Sequence, residues 1–158
     1  MAVRTIDGTL EEVELKNRRK LGSVYSRLLF RLPDGRSERV GKSVVWNNVA
    51  DHLKPGKSGR FYLYGAIDHR GIHGVRTADG AEAFGFGKQN EIVAIAVLVM
   101  AGLTFYLNMN DPRVTVFDDL IWIITLILLI GAGPMFLAYR HTRVQAERQF
   151  REDSGYRP

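Results

Sequence analysis

The sequence predicts a membrane α-helical hairpin of two transmembrane helices plus a small mainly-β cytoplasmic domain, built as a barrel or a rolled antiparallel sheet. Three observations carry that expectation. Residues 92–107 and 120–139 contain no charged side chain. Residues 1–90 hold 16 Lys/Arg and 10 Asp/Glu, distributed among short apolar runs separated by Gly, Pro and Asp. The flanks of the two apolar stretches differ in positive charge, which gives them a direction. Whole-chain averages conceal this division, since a mean hydropathy of −0.11 and 25% charged residues over 158 residues would suit an ordinary soluble protein.

The β-rich domain is expected over residues 1–88. Residues 9–15 place Leu10, Val13 and Leu15 among polar neighbours, as a half-buried strand does. Residues 24–32 form a second aliphatic and aromatic run. Pro33-Asp34-Gly35 then supplies a tight turn, and residues 36–40 return as the other arm of a hairpin. Trp46, Val49, Ala50 and Leu53 fall at helical spacing, which predicts one short helix near 44–53, with Ser43 as N-cap and Pro55-Gly56 as its stop. Strands follow at 61–65, 72–76 and 82–86, bounded by glycine-containing turns. Six short strands and one helix suit a small barrel or a rolled sheet.

The first transmembrane helix is expected at 91–109. Its apolar stretch, residues 92–109, is 18 residues long, or about 27 Å against a hydrocarbon core about 30 Å thick. The second, residues 120–139, has 20 residues and reaches the full thickness. A pair of buried core helices is the alternative, but such helices usually keep a polar face and neither stretch has one. The short outer connector at 110–119 sets Arg113 against Asp111, Asp118 and Asp119, whereas Lys88 precedes the first span and Arg140, Arg143, Arg148 and Arg151 follow the second. The positive-inside rule then makes this a multi-pass protein of a cell membrane, of the bacterial inner-membrane kind, with both termini cytoplasmic. The first residues lack the apolar stretch of a secretory signal. Phe105, Tyr106 and Trp122 fall at the outer ends of the spans, and Phe84, Phe86 and Tyr139 near the inner boundary, as interfacial belts do.

Within the spans, Ala94 and Ala101 form a small-residue stripe, and Gly131, Gly133 and Pro134 bring small residues together with a helix breaker. These are the candidates for helix packing or a kink. They would serve a hinge, an oligomer contact, or the packing of the two spans on each other. The tail at 140–158 is expected to be helical and then disordered, fraying from Asp153, and either to pack on the β-domain or to recruit a partner.

The opening Gly8-Thr9-Leu10-Glu11-Glu12-Val13 strand, the Leu32-Pro33-Asp34-Gly35-Arg36 hairpin, and Leu53-Lys54-Pro55-Gly56 leading into Phe61-Tyr62-Leu63-Tyr64 resemble small β-domains that bacterial membrane proteins carry beside a few helices, such as the domain of unknown function 3592. The resemblance spans residues 8 to 67. It implies an architecture and no activity.

Chemistry is mostly excluded. The absence of cysteine removes disulfides, thiol catalysis, iron–sulfur clusters and Cys-type zinc sites. Gly56-Lys57-Ser58 and Gly41-Lys42-Ser43 lack the earlier glycine of a phosphate loop, because Asp51 and Arg36 stand at the required positions. His52, His69 and His73, near Asp51 and Asp68, offer metal-type donors, yet Gly71 and Gly74 suggest turns that account for the same residues. No catalytic, cofactor or metal residue is therefore nominated, and no enzymatic role is expected. Lys16, Arg18, Arg19 and Lys20 form a compact basic run, either a solvated turn or a contact for anionic lipid or a partner. Nucleic acid is not expected, because a bilayer is the nearest anion for an anchored domain.

These readings favour a membrane-anchored interaction or scaffold protein that presents its β-domain to a cytoplasmic partner or the lipid surface. Its partners would be membrane lipids and a second protein or further copies of itself. A subunit of an oligomeric channel or transporter is the first alternative, although proton relays and ion-coupled pumps usually need the intramembrane ionisable groups that both spans lack. A membrane-bound enzyme with no recognisable motif is the second.

Overall fold

A computed structural model of the chain describes residues 2–66, 69–110 and 116–155. It divides into two units, residues 1–87 together with 142–158, and residues 88–141. The first unit is built on a long strand that serves two neighbours. β1 (Ala2–Arg18) pairs antiparallel with β5 (Ser58–Gly65) from Ala2↔Gly65 to Thr9↔Ser58. It then pairs with β2 (Gly22–Arg31) from Thr9↔Arg31 to Arg18↔Ser23. At the handover the Thr9 and Ser58 hydroxyls are 2.7 Å apart and hydrogen-bonded.

The other edge of β2 is shared in the same way. β3 (Ser37–Val40) takes residues 28–31 and β4 (Ser43–Trp46) takes residues 22–25. β4 then runs parallel to β6 (Arg70–Thr77) through Val44↔Gly71 and Val45↔Ile72, and β6 returns antiparallel to β5. The circuit β1–β2–β4–β6–β5 closes on β1, with β3 and β7 (Glu82–Phe84) as extensions. A closed five-stranded barrel with one parallel pair, and a short helix after its third strand, has the connectivity of the OB-fold.

Alternation along these strands fills the interior. Ile6, Leu10, Leu28, Phe30, Val45, Phe61, Ile72 and Val75 point inward, and the Phe30 and Phe61 rings lie 4.8 Å apart between centroids. The hairpin expected at Pro33-Asp34-Gly35 forms. Leu32 N–H donates to the Arg36 carbonyl at 2.8 Å, and the Asp34 carboxylate accepts from Arg36 N–H at 3.0 Å.

The stretch near 44–53 differs from the expected helix. Residues 43–46 are strand β4, and helix α1 is only Asn47–Ala50, with turns continuing to His52. Val49, Ala50 and Leu53 do face the core, but Trp46 belongs to the strand. Ser43 is no N-cap, since its hydroxyl donates to the Gly41 carbonyl at 2.7 Å. The reason is tertiary: the sheet needs a strand between β2 and β6, and Val44 and Val45 suit a pleated surface better than a helix. The described residues thus hold seven strands in place of six, and β1 begins at Ala2, well before the expected start.

The second unit holds α2 (Gln89–Asn110) and the greater part of α3 (Val116–Glu152), two helices long and apolar enough to cross a membrane. Asn110 and residues 116–119 of the expected connector lie in these helices, and residues 111–115 fall outside the described residues. Ala94, Ala101, Thr125, Ala132 and Tyr139 are buried, and Phe105 packs edge-on to Trp122 at 4.8 Å.

Closure depends on how near β6 comes to β4. A Cβ on Gly71 would lie 1.7 Å from the Val44 carbonyl oxygen. Gly71→Ala is therefore expected to open this seam and to lower the stability of the chain by about 2–3 kcal/mol. Denaturant unfolding followed by tryptophan fluorescence reads this through Trp46 on β4, and an unchanged midpoint would show that the seam tolerates a methyl group.

Candidate functional site

Two surfaces of the first unit carry more chemistry than barrel closure requires. The first is the outer face of β5 and β6. Phe61 and Leu63 point inward, so Tyr62 and Tyr64 point outward, yet both are buried. β6 carries a bulge opposite Tyr62 and Leu63, where the register steps from Tyr62↔Gly74 to Leu63↔Ile72 and leaves His73 as the extra residue. His73 turns outward into an aromatic enclosure formed by Tyr62, Tyr64, Phe84 and Phe86, with ring centroids between 5.8 and 6.2 Å from its own.

The C-terminal segment covers this face. Residues 142–152 of α3 belong to the first unit. Phe150 meets Tyr62 edge-on at 5.0 Å and Phe84 at 5.2 Å. Gly74 makes room for it, since a Cβ there would lie 2.6 Å from the Phe150 ring. The Arg76 guanidinium stands 4.5 Å from the centre of the same ring, donates to the Phe150 carbonyl at 3.0 Å and to Glu82 at 2.9 Å. It thereby satisfies one of the carbonyls that a helix leaves open at its C-terminus. A 3₁₀ turn, Asp153–Gly155, follows. The Asp153 carboxylate accepts from Arg60 at 2.8 Å and from the Tyr62 hydroxyl at 3.0 Å, while Arg60 also makes a bidentate pair with Asp7 at 2.6 and 2.7 Å. Over Asp153–Gly155 the expected fraying is thus replaced by an anchored turn, and residues 156–158 lie outside the described residues. The physical cause of the anchoring is the pair of donors that β5 presents.

Electrostatics follow from this burial. Burial depresses the His73 imidazole to about 4, and the backbone at Ala146 offsets it only in part. Neither ring nitrogen has a hydrogen-bond partner of ordinary geometry. The ring is neutral at pH 7. The Tyr62 hydroxyl is raised by burial and by its bond to Asp153. Burial pulls the Asp153 carboxyl upward, but bonds from Arg60 and Tyr62 and the nearby Arg60 and Arg76 charges outweigh it, so the net shift is downward. The cluster combines a neutral imidazole with paired charges, the buried Arg76 Nε alone keeping no partner among them, which suits packing more than proton transfer.

The second surface is the β1–β2 turn. Lys16, Arg18, Arg19 and Lys20 are all exposed there. Arg18 pairs with Asp51 at 2.8 Å, and no ion pair engages Lys16, Arg19 or Lys20 among the described residues. Asn47 fixes the turn. Its side-chain amide donates to the Arg19 and Lys20 carbonyls, both at 3.0 Å, and its oxygen accepts from Ser23 at 3.0 Å. Leu15 and Leu21 are exposed beside these cations, at 50% and 53%. The sequence marked the basic run but not Leu21 or the Asn47 clamp, and Leu15, expected with Leu10 and Val13 on the buried side of its strand, is exposed.

The remaining candidates separate. In the second unit Ala94 and Ala101 are buried, whereas Gly131 is exposed and lines an apolar groove of about 420 Å³ with Ala94, Val97 and Met135. A Cβ on Gly131 or Gly133 would meet nothing within 4 Å, and α3 runs on through Pro134. His69 packs edge-on to Tyr64 at 5.5 Å, so it and His73 meet around one tyrosine, while His52 lies in the turn after α1. No group of three metal-type side chains converges among the described residues.

Phe150→Ala should lower stability by about 2 kcal/mol, below the roughly 3–5 kcal/mol of a fully buried Phe. Hydrogen exchange should then speed up in residues 142–155 and β7 with the other strands protected, and unchanged exchange in the tail would contradict the docking. His73 also sets a pH dependence. Its native value lies below the unfolded 6.5, so the unfolded chain binds the extra proton as pH falls from 6.5 to 4. Its contribution is complete above pH 6.5, declines through that window by about 3 kcal/mol in total, and stays level below it. Denaturant midpoints of a His73→Phe variant should fall less steeply over the same window, and parallel slopes would remove His73 as the cause.

Compared with known proteins, the chain matches no family model, no curated protein and no solved structure.

Proposed function

We propose that this chain is a membrane-anchored interaction module, in which α2 and α3 hold it in a bilayer and the barrel offers a surface to a cytoplasmic partner or to lipid. One observation carries the reading. The apolar side chains of both helices are open, with Ile92 at 61%, Val99 at 63%, Ile130 at 66% and Leu137 at 64% exposure. Core helices of a soluble protein would have these side chains covered, and in water so much apolar surface marks a membrane or a large interface. The ion pairs between neighbouring strands, such as Arg60–Asp7 and Arg76–Glu82, support a barrel that lies outside the hydrocarbon core.

The orientation proposed is both termini inside, on the strength of the Arg-rich flank after residue 139 and the acidic connector. The role is non-catalytic. It is supported by a site whose titratable groups are committed to one another, Asp153 to Arg60 and Tyr62, and Arg76 to Glu82 and the helix end. The resemblance to small bacterial β-domains beside membrane helices is part of the same proposal.

The cysteine-free chain permits a direct test. Single cysteines at Ser37 in the barrel and at Thr115 between the helices are probed on intact spheroplasts with an impermeant maleimide. Thr115→Cys should label at once and Ser37→Cys only after permeabilisation, with the chain resisting carbonate extraction. The reverse labelling overturns the orientation, and release by carbonate overturns the anchor.

A further inference from the structure

The geometry points to a specific occupant for the β1–β2 turn: the surface of an anionic bilayer, met by Lys16, Arg19 and Lys20 with Leu21 entering the headgroup region. This deepens the anchored-module reading and rests on it. Three features converge on the turn.

The charge there is unspent. Several cations elsewhere on the barrel are drawn into pairs, Arg4 with Glu38, Arg27 with Glu12, Arg31 with Glu11 and Lys57 with Asp79, while Arg39, Lys42, Lys54 and Arg70, which form no ion pair among the described residues, stand on separate elements. In the basic run Arg18 alone is in an ion pair among the described residues. Three long cations within five residues are left to solvent, where an anionic leaflet attracts each of them.

Apolar surface accompanies the charge. Leu21 stands at the apex and Leu15 just before the basic run, each about half exposed. A solitary exposed leucine needs no explanation. A leucine at the apex of a cationic hairpin has the composition of an interfacial contact, apolar groups entering the acyl boundary while Lys and Arg stay at the phosphates.

The turn is held in advance. Asn47 bonds to two successive carbonyls of the apex, and its own N–H faces the Leu21 carbonyl at 3.3 Å. Less chain entropy is then lost on contact. Charge complementarity selects the bilayer over other anions, because a tether to two apolar helices keeps lipid at high effective concentration while any soluble polyanion must diffuse in.

The full chain is reconstituted as an Asn17→Cys variant carrying an environment-sensitive dye, in vesicles that contain brominated lipid and either phosphatidylcholine alone or 30% phosphatidylserine in both leaflets. Both leaflets being anionic, the orientation of insertion does not matter. Quenching should be at least threefold greater with phosphatidylserine, and be lost in 1 M salt and in a Lys16→Ala/Arg19→Ala/Lys20→Ala variant. Leu21→Ser should reduce it while leaving the salt dependence in place. A dye at Ala78→Cys, in the β6–β7 turn, serves as the control and should not respond. Equal quenching in both lipids, or none in either, overturns the proposal. So does a salt-sensitive dye response to added single-stranded RNA without a response to phosphatidylserine. Co-flotation of the chain with vesicles is scored separately, so loss of the anchor is distinguished from an anchored chain whose turn ignores the lipid.

Discussion

The first unit depends on a very short length of parallel sheet. Only Val44↔Gly71 and Val45↔Ile72 join β4 to β6, yet without them the sheet would be an open antiparallel ribbon with two long edges. Open edges invite pairing with other chains, and closure removes them. The parallel pair in turn demands a long crossover, because strands running the same way cannot be joined by a tight turn. Residues 47–69 supply it as α1, a loop and β5. The loop is tied to β1 by hydrogen bonds from Gly56 N–H to the Leu10 carbonyl at 2.7 Å and from Leu10 N–H to the Lys57 carbonyl at 2.8 Å. β3 and β7 then occupy the stretches of β2 and β6 that the circuit leaves over.

Closure has a consequence on the outside. β6 is buried along nearly its whole length, and an ordinary small barrel would leave every second residue of such a strand wet. Here a second layer covers it, made of Phe84, Phe86 and the C-terminal segment. The layer combines dispersion contacts around Phe150 with ion pairs at its end. Asp153 completes the hydrogen bonding of Arg60 beyond Asp7, so neither charge is buried alone. Around His73 the layer is aromatic and the imidazole is neutral, and the buried Arg76 guanidinium is held by Glu82 and the Phe150 carbonyl.

Features that depend on adjacent residues were legible in the sequence. The Pro33-Asp34-Gly35 turn and the two apolar helices need only local chemistry to be recognised. β4 was not legible, because Trp46, Val49, Ala50 and Leu53 satisfy a helical spacing while the strand's partner lies some 27 residues away at Gly71. The second layer was half legible, since packing of the tail on the β-domain was one of two expectations and a trace in the strands favours it. Phe61-Tyr62-Leu63-Tyr64 is apolar at four successive positions, and a strand of that kind is covered on both faces. A lone Phe150 in a segment otherwise rich in Arg, Gln and Glu was the matching half of the signal. The basic turn was visible as composition, whereas its clamp by Asn47 and its exposed leucines are properties of the folded hairpin.

The C-terminal layer also sets an order of events during synthesis. Tyr62 and Asp153 are 91 residues apart, which at ~5–20 residues/s is a delay of roughly 5–18 s between making the face and making its cover. Both apolar helices are produced within that interval. The barrel strands are therefore complete and able to close long before Phe150 exists. Throughout the interval Tyr62, His73 and Phe84 form an open aromatic surface on a nascent chain, available to anything that binds such surfaces before Phe150 is made. Maturation of this protein ends when a helix's last turn reaches a strand made before that helix began.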